Sequence, residues 1–409
     1  MSKISHSMLC LAGVFVTCLL CLTQAQAAPS RPFPQHVIYA AETIKPNHRT
    51  QTQLDNDVRA FYQHWKASYL VQQGVNGAGQ PLYRVSFGSS NPGRTVSEGQ
   101  GYGMVIVALM AGYDPDAQTI FNGLWRFSRE NPSSIDSRLM DWEWYAGDNR
   151  DDSAFDGDAD IAYGLMLAHK QWGSNGQINY ASAAKQVITA ILQSTIGPDS
   201  RLPMLGDWTE PNGGQYNQYT PRSSDFMPSH FRAYRRFTAN PVWSLVVSNS
   251  QAVINDIQAN YSPTTGLLPD FIVMSHPAQA GFLEGQHDGH FYYNAGRTPW
   301  RLGMDVLLYN SAVSRTQVRK MSKWIRGAAQ GNPLNIKAGY QLDGTPIGNY
   351  FTSFFVTPFG VAAMCDATQQ AWLNAIYSKV YNDHEDYYED SVTLLGLLVM
   401  TGNYWDPTK

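Results

Sequence analysis

Three segments of this chain carry side chains that could perform general acid–base chemistry. The first is Ser97-Glu98-Gly99-Gln100-Gly101-Tyr102-Gly103-Met104, in which a glutamate opens an apolar, glycine-rich helix. A carboxylate there is stabilised by the positive end of the helix dipole, so two interpretations compete. Glu98 either caps the helix together with Ser97, or it faces a cleft and the glycines let a ligand approach the backbone.

The second segment is an acidic run at the start of another predicted helix, Asp151-Asp152-Ser153-Ala154-Phe155-Asp156-Gly157-Asp158-Ala159-Asp160. A calcium loop needs Gly at its sixth position and Glu at its twelfth. Counted from Asp156, those positions hold Ile161 and Leu167. An Asp-Asp-x-x-Asp magnesium–diphosphate motif fails as well, because Phe155 follows Ala154. Acids favoured by the helix dipole explain one or two of these carboxylates more easily than four beside a glycine.

The third segment joins acids, histidines and arginines, in Phe282-Leu283-Glu284-Gly285-Gln286-His287-Asp288-Gly289-His290 and in Asn294-Ala295-Gly296-Arg297-Thr298-Pro299-Trp300-Arg301. Arginines beside carboxylates can orient them and change their pKa. The alternative is a surface loop with a salt-bridged arginine. His276, His287 and His290 lack the HExxH spacing of a zinc helix, so we expect neither a metal nor an organic cofactor.

Helical periodicity supplies the framework that must position these segments. It predicts twelve helices, at residues 55–73, 98–112, 116–129, 156–172, 180–195, 224–238, 241–261, 293–310, 314–330, 349–364, 367–380 and 386–400. No change of composition divides them, so we predict one all-α domain over residues 51–409, an (α/α)6 barrel of helical hairpins. The apolar stretches 101–111 and 160–168 are expected in the inner ring. The long loops are expected to form a substrate cleft at one end, and they span residues 132–155, 197–223 and 262–292.

The amino-acid composition narrows the range of possible functions further. Aromatic residues make up 12% of the chain, with 11 Trp and 23 Tyr, and charged residues only 15%. Such a composition suits stacking on sugar rings, and it equally suits internal packing. Two aromatic groups leave this choice open, Trp142 with Trp144 and Trp208 with Tyr216 and Tyr219. The formal charge of the chain is −4, which does not indicate the clustered Lys and Arg that a nucleic-acid-binding protein needs.

The N-terminus is typical of an exported protein. An apolar stretch at residues 8–22 precedes Ala25-Gln26-Ala27, which predicts a signal peptide over residues 1–27 and a secreted or periplasmic product. A Pro-rich leader follows at residues 28–50. Cleavage leaves Cys365 as the sole cysteine, so no internal disulfide is expected. No later stretch of the sequence is long and apolar enough to be transmembrane.

In order along the chain, the three segments resemble glycoside hydrolase family eight, a family of inverting endo-glycanases on an (α/α)6 barrel. The matching motifs are Ser97-Glu98-Gly99-Gln100-x-Tyr102-Gly103-Met104, Ala154-x-Asp156-Gly157-Asp158-x-x-Ile161-Ala162 and Asn294-Ala295-x-Arg297-x-Pro299-Trp300-Arg301. Two departures are conservative, Phe155 for the usual Ser or Thr and Gly164 for Ser or Ala. The third concerns mechanism, because Asn294 stands where many members carry the aspartate that acts as general base.

The resemblance implies that Glu98 is the general acid and that Asp156 positions the sugar or the water. Because an amide cannot take a proton from water, the base must come from elsewhere. A branch of the family that shares the asparagine draws its base from the preceding loop, which implies Glu284, with Asp288 and Asp270 as alternatives. Asn294 would then orient the water or the base. Cleft-lining roles are expected for Tyr102, Trp142, Trp144, Arg297 and Trp300.

The implied activity is hydrolysis of β-1,4 linkages in a polysaccharide, either a β-glucan such as lichenan or cellulose, or chitosan, with xylan less favoured. We expect a polysaccharide as the partner, no nucleic acid, no membrane after signal cleavage, and a monomer. Two other classes stay open. One is a non-catalytic polysaccharide-binding protein on the same barrel, which Asn294 would suggest. The other is a polysaccharide lyase of a different (α/α) barrel family.

Overall fold

The computed structural model describes residues 28–147 and 151–409, so the predicted signal peptide lies outside the described residues. Within these ranges the chain forms twelve α-helices. They are α1 (Gln51–Tyr69), α2 (Ser97–Leu109), α3 (Ala117–Glu130), α4 (Phe155–Trp172), α5 (Tyr180–Ser194), α6 (Pro228–Thr238), α7 (Val242–Asn260), α8 (Thr298–Tyr309), α9 (Ala312–Ala328), α10 (Ser353–Ala363), α11 (Gln370–Val380) and α12 (Tyr387–Met400).

The even-numbered helices form a closed inner ring, in which α2 contacts α4 and the contacts continue through α6, α8, α10 and α12 back to α2. The odd-numbered helices pack outside, α3 on α2, α5 on α4, α7 on α6, α9 on α8, α11 on α10 and α1 on α12. This is the predicted (α/α)6 barrel. Almost every residue of α2 and α4 is buried, as expected for helices that are apolar all round, and the prediction that they are inner helices is confirmed.

Local pairing explains where predicted boundaries differ from observed ones. The first helix ends at Tyr69 rather than at residue 73, because strand β1 (Leu70–Val75) turns to pair antiparallel with β2 (Pro81–Val85). The helices predicted from residues 224 and 293 begin four and five residues later, after the short 3-10 turns Ser223–Asp225 and Ala295–Arg297. A helical pattern in sequence continues through such turns because their side-chain spacing is similar.

Two short pairs of strands and a second apolar core organise the long loops at one end of the barrel. Strand β3 (Thr95–Val96) pairs with β4 (Glu143–Trp144), and β5 (Ile272–Val273) pairs with β6 (His276–Pro277). A separate apolar cluster lies under the loops and contains Leu205, Phe271, Ala278 and Phe282. Trp208 and Tyr216 pack on that cluster with ring centroids 5.2 Å apart, so these two aromatics serve loop packing.

The leader at residues 28–50 has no helix or strand and is tied to the barrel by backbone hydrogen bonds, such as Phe33 to Ala111 and Val37 to Gly402. Cys365 is buried and has no disulfide partner within residues 28–147 and 151–409. Among the described residues, no helix has the length and apolar character needed to cross a membrane.

Candidate active site

A cavity of about 310 Å³ opens where the inner helices begin. Its lining unites residues from all three segments that the sequence singled out: Glu98, Asp156, Glu284, Asn294 and Arg297. Glu98 and Asp156 stand in the first turns of α2 and α4, and Arg297 immediately precedes α8. Since helix N-termini carry partial positive charge, their convergence favours negative charge in this cavity.

Glu98 is aimed at other side chains rather than at the backbone of its own helix. The N-cap of α2 is Val96, without a side-chain cap bond, and the buried Ser97 hydroxyl finds no partner among the described residues. Tyr102, one turn further, donates a hydrogen bond to Glu98 Oε1 at 2.6 Å, and Arg297 Nη1 pairs with the same oxygen. The interpretation of Glu98 as a helix cap is therefore wrong.

The glycines around Glu98 allow helices, rather than a ligand, to come close. A Cβ on Gly101 would lie 2.9 Å from the carbonyl oxygen of Gly157 in α4, and a Cβ on Gly99 would collide with the ring of Tyr387 in α12. Real Cβ atoms do not approach backbone this closely, so a larger residue would push the inner helices apart. The expectation that these glycines admit a ligand is corrected accordingly.

The environments of Glu98 and Asp156 drive their pKa values in opposite directions. Burial raises the pKa of Glu98, and the nearby Asp156 charge adds to the rise, while Arg297 and Tyr102 oppose it. For Asp156 the effect of burial is outweighed by Arg297 and Arg222, so its pKa lies below the ordinary value. A glutamic acid with a raised pKa beside an aspartate with a lowered pKa is the pattern of a general acid with a charged neighbour.

Two arginines connect the carboxylates across the cavity. Arg297 Nη1 lies 2.7 Å from Asp156 Oδ2, in addition to its contact with Glu98. Arg222 Nη1 lies 3.4 Å from the same Asp156 oxygen, and Arg222 Nη2 lies 3.4 Å from Glu284 Oε1. Sequence reasoning missed Arg222, because its only signal was a position at the end of a long predicted loop.

Glu284 differs from Glu98 in its exposure and in its support. Its side chain is 50% exposed, against 19% for Glu98. Asn294 Nδ2 donates to Glu284 Oε2 at 2.8 Å, while Asn294 Oδ1 accepts from Arg297 Nη2 at 2.9 Å. An aspartate at position 294 would place a second carboxylate against Glu284, so the amide is the group that can join a cation on one side to an anion on the other.

The two alternative bases hold backbone segments of the site, Asp288 around Glu284 and Asp270 around Asn294. Asp288 accepts the backbone N–H groups of residues 283–285, at 2.7, 3.1 and 2.9 Å. Asp270 accepts the N–H of Ala295 at 2.6 Å, and burial raises the pKa of Asp270 to about 7. Neither carboxylate belongs to the lining of the cavity, so both are placed to position the loop.

Of the remaining residues of the second segment, two acids connect elements away from the cavity. Asp158 accepts the backbone N–H of Met140 at 2.9 Å. Asp160 pairs with Arg301 Nη2 at 2.6 Å and lies 2.8 Å from His230 Nε2. The acidic run therefore divides between one residue in the cavity and two that connect α4 to its neighbours.

The aromatic lining differs from the predicted one. Trp142 lines the cavity, as does Arg297. Tyr102 and Trp300 are 0% and 2% exposed, because they pack beneath the site, with Trp300 stacked on the Arg301 guanidinium at 4.0 Å. Trp144 lies edge-on to Phe127 and under Arg84, outside the lining. The prediction that Tyr102, Trp144 and Trp300 line the cleft is therefore corrected, and the lining aromatics that it missed are Phe87, Tyr293 and Tyr388.

Comparisons with known proteins identify the family and the relatives of this chain. The sequence model of the family described as Glycosyl hydrolases family 8 matches residues 33–402. A beta-glucanase of Niallia circulans is 44% identical over 389 residues, which cover 93% of this chain and 93% of that protein. An endoglucanase of Bacillus sp. (strain KSM-330) is 40% identical over 393 residues, 94% of this chain and 83% of the relative. The apo structure of a beta-1,3-1,4-glucanase from Paenibacillus sp. X4 superposes with a TM-score of 0.88 at 44% identity, covering 93% of this chain and all of that one (100%).

Proposed function

Because the chain belongs to glycosyl hydrolase family 8 and is a glycoside hydrolase, we propose that it is a secreted, inverting endo-glycanase that cleaves β-1,4 bonds in a mixed β-1,3-1,4-glucan. The observation that carries this proposal is one cavity with two unlike glutamates. Glu98 is mostly buried, with a raised pKa, and Glu284 is half exposed on a loop. Secretion is proposed from the predicted signal peptide.

The choice of substrate rests on relatives and on charge. Two proteins at 44% identity carry the names beta-glucanase and beta-1,3-1,4-glucanase. Chitosan is a polycation and would favour an acidic cleft. The charged residues lining this cavity are balanced, three arginines against three carboxylates: Arg94, Arg222, Arg297, Glu98, Asp156 and Glu284. This balance favours a neutral glucan.

Glu98 is proposed as the general acid. Burial holds its carboxyl in the protonated form, and the proton passes to the glycosidic oxygen as that bond breaks. Arg297 and Tyr102 both engage Oε1, which leaves Oε2 as the oxygen that carries the proton. After the transfer, the same two donors stabilise the glutamate anion.

Glu284 is proposed as the general base. Its exposure gives a water molecule access, and Arg222 and Asn294 keep its carboxylate oriented. The ionised Glu284 takes a proton from the water that attacks the anomeric carbon on the face opposite the leaving group. In an inverting enzyme the two carboxyl groups stand about 6.5–9.5 Å apart to make room for that water.

Asp156 is proposed to hold the distorted sugar in the subsite before the cut. Its Oδ1 accepts the Gly157 N–H at 2.9 Å, and its Oδ2 meets both arginines. A carboxylate fixed in this way keeps a charged acceptor for a sugar hydroxyl, and charge-assisted hydrogen bonds are the stronger kind. Trp142 and Tyr388 supply apolar faces for the sugar rings.

A panel of four polymers tests the activity and the substrate together. Initial rates of reducing-sugar release are measured on lichenan, carboxymethylcellulose, chitosan and xylan, with Glu98→Gln as the blank. We expect lichenan to be fastest by at least about tenfold. Release from chitosan alone would overturn the choice of substrate, and no release from any polymer would favour a non-catalytic binding protein. An unsaturated product, detected by its absorbance, would indicate a lyase.

The stereochemistry is tested by proton NMR of the first product from a β-linked oligosaccharide. Inversion predicts that the α anomer appears first and that the β anomer grows in by mutarotation. A β anomer at the earliest time would contradict the proposed role of Glu284, because retention needs a nucleophile rather than a base.

A further inference from the structure

A second cluster of titratable side chains lies outside the cavity, between α1 and the start of α12. It consists of His64 in α1, His384 in the turn before α12, and Asp390 in the first turns of α12. His64 Nε2 lies 3.2 Å from Asp390 Oδ2, and His384 Nδ1 lies 3.9 Å from the same oxygen. All three candidate donor atoms lie within 4.8 Å of one another.

The carboxylate of this cluster is already fixed in place. The Asp390 side chain is 0% exposed, its Oδ2 accepts from the Tyr69 hydroxyl at 2.9 Å, and its Oδ1 accepts the Glu385 N–H at 2.9 Å. Carboxylates that ligate metals are commonly held by hydrogen bonds of this kind. The hydrogen bonds that would hold a metal-ligating carboxylate in place are therefore present around Asp390.

The two imidazoles are partly exposed and supply the remaining candidate ligands. Their side chains are 39% and 34% exposed, and their rings stack with centroids 3.9 Å apart. Donor atoms about 2.0–2.2 Å from a tetrahedral ion lie roughly 3.4 Å from one another. The spacings of the two imidazole nitrogens from Asp390 Oδ2, 3.2 and 3.9 Å, lie on either side of this value, and the two nitrogens lie within 4.8 Å of each other. Binding one ion would require the two partly exposed rings to rotate toward it.

We propose that His64, His384 and Asp390 bind a divalent transition-metal ion, with Zn²⁺ as the representative, and that water fills the fourth position. Two imidazole nitrogens and one carboxylate oxygen form a donor set that suits zinc, whereas Ca²⁺ and Mg²⁺ prefer oxygen ligands throughout. Among the described residues this is the one group of His, Cys, Asp and Glu with such spacing. It lies apart from the proposed chemistry, so its role is structural.

The ion would connect α1 to the segment that forms one wall of the cavity. Within that segment, Asp386 accepts the backbone N–H groups of Ser89 and Ser90 at 2.9 and 3.3 Å. Two residues further, Tyr388 lines the cavity. A metal at His64 and His384 therefore stabilises the fold where the wall meets the outer helix, and the unfolding temperature is the quantity that reports it.

The test measures the melting temperature of the chelator-treated, full mature protein with and without ZnCl2. At about one hundred times the dissociation constant, ligand linkage raises Tm by roughly 3 °C for a chain of this size. We expect His64→Ala and His384→Ala to fold, because both side chains are partly exposed, and to lose at least half of the zinc-dependent rise. Asp390→Asn, which keeps the buried shape, should lose it as well.

Two matched controls separate this site from general zinc binding. His287→Ala alters another pair of neighbouring histidines, since His287 and His290 have ring centroids 6.0 Å apart, and it should keep the whole rise. Ca²⁺ at the same concentration should produce none. Histidine-selective ¹⁵N NMR gives a second measurement, in which zinc should shift the ring nitrogens of His64 and His384 first.

Three results would overturn the proposal. One is an unchanged Tm and an unchanged NMR spectrum in zinc, which would show that the three residues form a hydrogen-bonded His–Asp–His cluster that binds no zinc. Another is a zinc-dependent rise that survives in His64→Ala and His384→Ala, which would move the ion elsewhere, for instance to the cavity carboxylates. The third is an equal rise in Ca²⁺, which would indicate an all-oxygen site.

Discussion

The two sides of the cavity are built in different ways. On one side, Glu98 and Asp156 stand at the N-termini of inner helices, mostly buried, and joined through one guanidinium. On the other side, Glu284 stands half exposed on a loop. That loop is held by the three N–H bonds to Asp288 and by the small core that includes Phe282.

With the proposed roles of Glu98 and Glu284, the difference explains how one fold obtains an acid and a base from the same side-chain type. Packed helix ends shield much of the Glu98 side chain and make its charge costly, so burial raises its pKa. A loop leaves Glu284 in contact with solvent, where a reacting water can reach it. The helix side is therefore suited to carry a proton and the loop side to accept one.

The largest effect should come from the helix side. Glu98→Gln removes the proton donor while it keeps the shape that Tyr102 and Arg297 surround, so kcat on lichenan should fall about 10³-fold or more. The check is steady-state kinetics, with Tm as the measure of folding. A variant that folds normally and keeps a tenth of the activity would remove Glu98 as the acid.

Glu284→Gln should be nearly as damaging, by about 10²–10³-fold in kcat. The matched comparison is Asp270→Asn, which alters a nearby buried carboxylate outside the lining. If the loss were greater in Asp270→Asn than in Glu284→Gln at equal stability, Asp270 would become the better candidate for the base.

The loop side depends on Asp288, so Asp288→Asn should give an intermediate effect. The amide keeps one acceptor oxygen but sets an NH2 group against backbone N–H donors, which loosens the turn that carries Glu284. We expect kcat/KM to fall about tenfold while the fold stays intact. Hydrogen exchange localised to residues 278–292 would check the cause, and unchanged exchange there would contradict it.

The smallest effect is a shift of the pH profile. Glu98 must be protonated, so activity falls as pH rises through its pKa, and burial together with the Asp156 charge raises that pKa. Asp156→Asn removes the neighbouring charge and leaves Arg297 to favour the Glu98 anion. The alkaline limb of kcat/KM should therefore move to lower pH. Asp151→Asn, a change of the same type on an exposed acid, should leave the limb in place, and a shift of the limb to higher pH in Asp156→Asn would contradict this account.

Sequence reasoning recovered the twelve helices because hydrophobic periodicity is a local property. It missed the strand after α1 and the 3-10 turns before α6 and α8, since the β1–β2 hairpin and the short-range hydrogen bonds of the 3-10 turns set those boundaries. It also named Glu98, Asp156, Glu284, Asn294 and Arg297, all of which line one cavity. Its choice of aromatic lining was mostly wrong, because the direction that a tryptophan faces depends on packing rather than on residue type.

The sequence by itself determined the helical order, the identity of the inner helices and the acids placed at their first turns. The tertiary structure decided which side chains pair with these acids. Arg297 meets Glu98 across 199 residues of chain, and Arg222 meets Asp156 across 66. It also decided that Asp288 holds the loop and that the glycines of α2 admit helices instead of a ligand. Helical periodicity is set by residues that are close in sequence. Charge pairing and close packing depend on segments that meet only when the ring of helices closes.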